Sequence, residues 1–261
     1  MKRLEGKTAI VTGAGRGIGR GIAIAYAREG ANVVVASRTK STVDSTVSEI
    51  QAEGGTALGI ACDVGRRDDI FAAVAKTVTA FGTVNILMNN AQGFGTERQP
   101  TPTPQPTPLE DFDEEEWEYT FRTGALATLW GMKAVFPWMK DRGGKIINFG
   151  SWLGQIGGEG TAAYNAAKEA IRALSRTAAR EWGKHKINVN VINPAVMTDA
   201  MLGYLNAHPE QAEALLALVP LHRWGDAVKD AGGLAVFLAS SDADYLTGMT
   251  FQLDGGGSMH A

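Results

Sequence analysis

Tyr164 and Lys168 stand four residues apart in an alanine-rich stretch of good helix propensity, so on a helix phenol and ammonium share one face. A cation held beside a phenol favours phenolate and draws a pKa of about 10 toward neutrality. A phenol poised that way gives or takes a proton at a carbonyl or alcohol oxygen. Ser151 opens the same segment, and the glycine-dense loop after it can return the hydroxyl to the pair. There it could hydrogen-bond the reacting oxygen. The same spacing is also what a solvated helix face presents, so the rest of the chain has to decide.

A second cluster, Thr12-Gly13-Ala14-Gly15-Arg16-Gly17-Ile18-Gly19, follows a short apolar run and precedes an amphipathic pattern that ends at Gly30. In an alternating α/β chain, the first strand-to-helix turn offers free N–H groups and a positive helix end to a dinucleotide's pyrophosphate. The glycines stand as Gly-x-x-x-Gly-x-Gly, out of register with G-x-G-x-x-G, and no Gly-Lys-Ser/Thr of a P-loop follows. Where a cofactor lacking the 2′-phosphate would need an acid about 20 residues on, none lies between Glu29 and Asp44. Ser37 and Arg38 end the second strand instead, with Arg16 inside the glycine turn. Guanidiniums bind a phosphate bidentately and carboxylates repel it, so NADP(H) is expected, with NAD(H) as the alternative.

Other chemistries find little support. Ser151 follows Phe149-Gly150 and is not in G-x-S-x-G. His185, His208, His222 and His260 lack ligand spacing, and Cys62 at a strand end reads as a small core residue.

The chain has 261 residues, 44% apolar and 20% charged, with formal net charge −3 and no basic run longer than two. That suits a globular domain and argues against nucleic-acid binding. One cysteine excludes an internal disulfide. No apolar stretch approaches about 20 residues, so no membrane span is expected and a cytoplasmic location is. Strands are expected at 7–12, 32–37, 56–62, 84–88, 145–149, 187–192 and 249–253, with helices between. The alternation predicts one α/β domain over 1–261, a doubly wound Rossmann fold with a roughly seven-stranded parallel sheet and helices on both faces. One long helix is expected from the acidic segment 110–116 to about Lys140, and one or two short substrate-loop helices at 198–222. The insertion 98–109 has proline at every second position from Pro100 to Pro108, predicting a stiff polyproline II segment near the sheet's carboxyl edge.

With these residues in place, the chain closely resembles the short-chain dehydrogenase/reductase family, in its 3-oxoacyl-reductase-like subgroup. The resemblance rests on Thr12-Gly13-x-x-x-Gly17-x-Gly19, Asp63-Val64, Asn89-Asn90-Ala91, Ser151 with Tyr164-x-x-x-Lys168, Asn193-Pro194, Thr198 and Asp254-Gly255-Gly256. It implies Tyr164 as general acid/base, Lys168 lowering its pKa and holding the nicotinamide ribose, and Ser151 orienting the carbonyl. Asp63 and Val64 would meet the adenine, Asn90 and Ala91 the ribose region, and Thr198 the carboxamide. Gly13, Gly15, Gly17, Ile18, Gly19, Pro194 and Val196 complete the expected cofactor contacts. Gln92, Trp152, Leu153 and Met197, with Phe94, Leu202, Tyr204 and Leu205, would wall a substrate pocket poor in charge, suiting an apolar or aromatic ketone or alcohol. A homotetramer or homodimer is implied.

Three departures stand out. The family's fourth catalytic residue, an asparagine tied to a proton-relaying water, falls at Gly124. Gln92 replaces a usual glycine, and Ala195 another. The resemblance implies activity with a differently routed relay, and leaves open a non-catalytic, dinucleotide-binding regulatory protein.

Overall fold

The computed structural model describes residues 2–259, without the side chains of 199, 200, 204, 207, 209 and 211; His260 and the Tyr204 side chain thus lie outside the described residues. Seven strands form one parallel sheet: β1 (Thr8–Thr12), β2 (Asn32–Ser37), β3 (Thr56–Ala61), β4 (Ile86–Asn89), β7 (Gly144–Phe149), β8 (Ile187–Pro194) and β9 (Thr250–Leu253). Their order is β3-β2-β1-β4-β7-β8-β9, the doubly wound sheet that the alternation predicts. Strands are built outward from β1 in both directions, so connections on its two sides diverge. The carboxyl ends of β1 and β4 thereby open a crevice.

Period-two alternation decides which residue meets which layer. Ala9, Val11, Val33, Val35, Ile86, Met88, Ile147 and Phe149 face helices α1 (Gly17–Arg28), α2 (Lys40–Ala52) and α10 (Gly232–Ala239). Ile10, Val34, Leu87, Ile146 and Val189 face α3 (Arg67–Phe81), α5 (Ala127–Met139) and α7 (Ala162–Trp182) on the other side. Each such aliphatic side chain contributes roughly 1.5–3 kcal/mol by leaving water.

On the face covered by α3, α5 and α7 runs a buried polar string. Asn89 Nδ2 donates to Asn148 Oδ1 at 2.9 Å, and Asn148 Nδ2 donates to Ser175 Oγ at 2.9 Å. It joins β4, β7 and α7 and fixes their relative register, because only this alignment pairs the amides.

Four expectations need correction. The long helix is three pieces: α4 (Glu114–Phe121), a wide π turn at Arg122–Leu126, and α5. A π turn also begins the last helix, at Ala227–Ala231. The proline run is not polyproline throughout: β6 (Pro100–Thr101) pairs antiparallel with β5 (Phe94–Gly95), a two-residue ribbon. Such an edge tolerates a residue without an N–H. The glycine-dense loop holds a short helix, α6 (Trp152–Ile156), nucleated by Ser151, whose Oγ accepts from Leu153 N at 3.2 Å. Two short helices, α8 (Asp199–Ala207) and α9 (Pro209–Ala217), occupy the segment where one or two are expected.

Asn148, 0% exposed, tests the string. Asn148→Ala strands the Asn89 amide, while Ser175 keeps its bond to Ile171 O, and should cost about 1–3 kcal/mol, read as a lower urea midpoint at unchanged m-value. An unchanged midpoint would show that the string fixes nothing.

Candidate active site

The turn from β1 into α1 is shaped by glycines with positive φ, Gly13 at 66° and Gly17 at 55°. A β-carbon on Gly13 would lie 2.7 Å from Asn90 Nδ2, so no other residue fits there without displacement. Helix α1 starts at Gly17 with no side-chain cap at Arg16, which leaves its first-turn N–H groups open to the crevice. The loop after β4 closes on this turn. Thr12 Oγ1 accepts from the N–H groups of Asn90 and Ala91, each at 3.1 Å, while Asn90 Nδ2 donates to Thr12 O at 2.8 Å.

A cleft of about 580 Å³ runs from this turn to Tyr164 and Lys168. Its wall takes in most of the expected cofactor residues: Gly13, Arg16, Gly17, Ile18, Ser37, Arg38, Asp63, Val64, Asn90, Ala91, Tyr164, Lys168, Pro194 and Thr198. Gly15, Gly19 and Val196 stand behind it. A β-carbon would meet Thr42 at Gly15 and the Gly13 backbone at Gly19, while Val196 bridges to Gly225. Thr198 lies across from Gly17, its Cγ2 3.7 Å from where a β-carbon would sit. A dinucleotide fits this cradle: it meets open helix-end donors, glycines that admit close approach, and two guanidiniums at the end of β2 and in the turn.

At the other end, α7 brings Tyr164 and Lys168 to one face. Lys168 is 3% exposed, and its Nζ donates to Phe149 O at 3.0 Å and sits 5.4 Å from the Tyr164 ring centroid. Burial without a counter-charge pushes the Lys168 ammonium down to about 7. Burial also raises the Tyr164 pKa, with hydrogen bonding from the Ser151 hydroxyl acting the other way. Desolvation is the largest effect on both groups. The Cys62 thiol, on the cleft wall, is pushed up to about 12 by burial and the carboxylates of Asp69 and Asp63, which makes it inert.

On the substrate side Gln92 and Phe94 line the cleft, whereas Trp152, Leu153 and Met197 are not on its wall. Ser151, 9% exposed, stands beside Tyr164 and hydrogen-bonds its phenol. Two contributors, Tyr119 and Thr123, carry no expectation from the sequence, whereas the proline segment lies near the site as its place after β4 predicts. Tyr119, on α4, accepts a hydrogen bond from Arg38 Nη1 at 2.7 Å, and Thr123 follows it four residues on. Pro102, Thr103 and Pro104 form part of the wall, and Thr107 N donates to Gly160 O at 2.9 Å, so the proline segment lies against the loop that carries Ser151. Only the i, i+4 pairing of Tyr119 with Thr123 hinted at a shared face. Among the described residues no cluster of His, Cys, Asp and Glu could hold a metal ion, and no helix is long and apolar enough to cross a membrane.

A family model described as enoyl-(acyl carrier protein) reductase matches residues 13–258. A 12α-hydroxysteroid dehydrogenase of Clostridium sp. (strain ATCC 29733 / VPI C48-50) is 38% identical over 263 residues, covering 98% of each chain. A 2-dehydro-3-deoxy-D-gluconate 5-dehydrogenase of Escherichia coli (strain K12) is 34% identical over 255 residues, covering 97% of this chain and 96% of its own. A solved 7α-hydroxysteroid dehydrogenase, complexed with NADH and 7-oxo glycochenodeoxycholic acid, superposes with TM-score 0.89 at 32% identity, covering 99% of this chain and 96% of its own.

The depressed lysine gives a pH test. The unfolded chain, with an ammonium of 10.5, binds more protons than the fold between about 7 and 10.5, so this group's stability penalty is complete below pH 7 and fades as pH rises. Lys168→Met removes it. The Tm difference, variant minus parent, should fall by several degrees between about pH 6 and pH 10. A pH-independent difference would show that Lys168 is not depressed.

Proposed function

This chain belongs to the short-chain dehydrogenase/reductase family, and on that premise we propose that it interconverts a carbonyl and a secondary alcohol on an apolar or aromatic small molecule, with NADP(H). The single observation that carries the reading is one continuous cleft with the glycine turn at one end and Tyr164 with Lys168 at the other.

When bound, the nicotinamide supplies or accepts the hydride at the substrate carbon. The chain's part is protonic and positional. Tyr164 gives a proton to the carbonyl oxygen in reduction or takes one from the alcohol in oxidation. Ser151 donates to the same oxygen and orients it. Lys168, with an ammonium near 7, exchanges protons at neutral pH and resupplies the phenol. Phe149 O holds its Nζ in place. The open N–H groups of α1 receive the pyrophosphate.

Arg16 and Arg38 support NADP(H). Both are exposed at the cleft's far end, and Arg38 is oriented by the buried Tyr119 hydroxyl. The solved relative is complexed with NADH, and the two guanidiniums support NADP(H) for this chain. Phe94 packs on the Tyr164 ring, and Pro102, Pro104 and Phe149 add apolar surface to the same cleft wall. That favours a flat apolar skeleton, of which the relatives' hydroxysteroids are one kind, over a sugar acid.

Two measurements test this. Arg38→Ala and Arg16→Ala should each raise KM for NADPH roughly tenfold and leave that for NADH within about twofold. A parent that prefers NADH would make the cofactor assignment wrong. Tyr164→Phe should lower kcat about 10²–10⁴-fold on an active ketone from a panel of oxosteroids, aromatic ketones and keto sugar acids. Retained turnover would remove Tyr164 from the mechanism.

A further inference from the structure

Gln92 and Gly124 lie on different elements and meet face to face. A β-carbon at Gly124 would lie 2.5 Å from Gln92 Oε1 and 3.1 Å from Nε2, so the carboxamide already fills the space over that glycine. Gln92 Nε2 donates to Gly93 O and Thr120 O, both at 3.0 Å, with Thr123 Oγ1 at 3.4 Å. Gly93 N donates to Thr123 Oγ1 at 3.1 Å. The loop after β4 is thus fastened to the helix where its turn widens, at Arg122–Leu126. Gln92 Oε1 is buried without a hydrogen-bond partner. The opposite amide orientation would set an oxygen against two carbonyls, so the donor side and the glycine fix the pose.

Two residues along the same loop, the Phe94 ring packs on the Tyr164 ring, centroids 5.5 Å apart and tilted by 57°. Phe94 is further held by β6 through its pairing with Thr101. A mechanical path therefore runs from the widened turn through Gln92 to the aromatic face of the proton donor.

We infer that Gln92 is a positioning residue for Tyr164, working as one unit with Gly124: the carboxamide seated over the glycine fixes residues 92–94 and holds Phe94 against the phenol ring. What Tyr164 does chemically rests on the oxidoreductase reading above; the packing does not. The two departures from the family pattern at 92 and 124 are then a single change. A side chain restored at 124 alone should harm the protein, whereas a missing relay would make Gly124→Asn beneficial.

The test is a double-mutant cycle of Gln92→Gly and Gly124→Asn, read in two ways that need no substrate. Gly124→Asn should lower Tm by several degrees, and the double variant should regain most of that loss. Tyr164 ionisation is followed as tyrosinate absorbance after a pH jump, with Tyr164→Phe as background. The other ionisable groups on the cleft wall are Lys168, Arg16, Arg38, Asp63, Cys62 and Tyr119, and all stay in place. Gln92→Gly frees Phe94 and wets the phenol, so the Tyr164 midpoint should fall and return in the double variant. Gln92→Met, which keeps the volume and loses the donors, should shift it the same way and serves if Gln92→Gly does not fold. With an active ketone, Gln92→Gly should lower kcat roughly tenfold at a KM for NADPH within about twofold. Additive Tm losses, or a Tyr164 midpoint unmoved by both Gln92 variants, overturn the inference. A parent that turns over no ketone with either cofactor overturns the oxidoreductase reading instead, and the midpoint and Tm cycle still decide this one.

Discussion

The Thr12 hydroxyl is the interaction on which the site depends. It donates to Met88 O at 3.3 Å and accepts the N–H groups of Asn90 and Ala91 at 3.1 Å, joining the carboxyl ends of β1 and β4. These are the strands between which the direction of winding reverses. Connections leave to opposite sides there, so no helix covers the gap, and the backbone groups at its rim would otherwise go unpaired. One small hydroxyl satisfies three of them. The glycine turn departs from the same residue, which ties the cleft's geometry to the register of the sheet beneath it.

From that clamp, burial governs the chemistry. Lys168 and Tyr164 are both pushed toward their neutral forms, the ammonium down to about 7 and the phenol up. A desolvated ammonium close to neutrality changes protonation with little driving force, which suits a group that passes protons on instead of holding charge. The Asn89–Asn148–Ser175 string beneath Phe149 keeps the carbonyl that holds Lys168 from shifting. The same burial that weakens the charge thus secures the position.

The parts legible in the sequence are those whose signal is local. Val33-Val34-Val35 reads as a buried strand by composition, Gly13 and Gly17 as a turn by spacing, and Tyr164 with Lys168 as one helix face. What escaped depends on partners distant in the chain. The π turn at Arg122–Leu126 holds Gly124 among ordinary helix residues, and a lone glycine gives no sign of an extra residue per turn. Arg38 reads as a phosphate ligand from its place at a strand end, but its orientation comes from Tyr119, 81 residues away. The prolines fix φ, which predicts an extended chain correctly; that Pro100 pairs with Gly95 follows from the loop doubling back, and no local rule contains it. Trp152 and Leu153, adjacent to Ser151, were expected on the pocket wall. Once Ser151 caps α6, the helix carries both off it.

The carboxamide of Gln92 shows why departures from a family pattern should be weighed in pairs. By itself, a glutamine in place of glycine is a bulkier loop, and a glycine in a helix costs about 1 kcal/mol against alanine. Together the volumes offset, and the helix cost is repaid by the donors that Nε2 gives to Gly93 O and Thr120 O. The buried, unpaired Oε1 remains a debit of about 1–3 kcal/mol. A debit of that size persists only where the pose is over-determined, here by the shape of the glycine, the widened turn and the Phe94–Tyr164 contact together. That over-determination is what converts a packing detail into a constraint on the phenol.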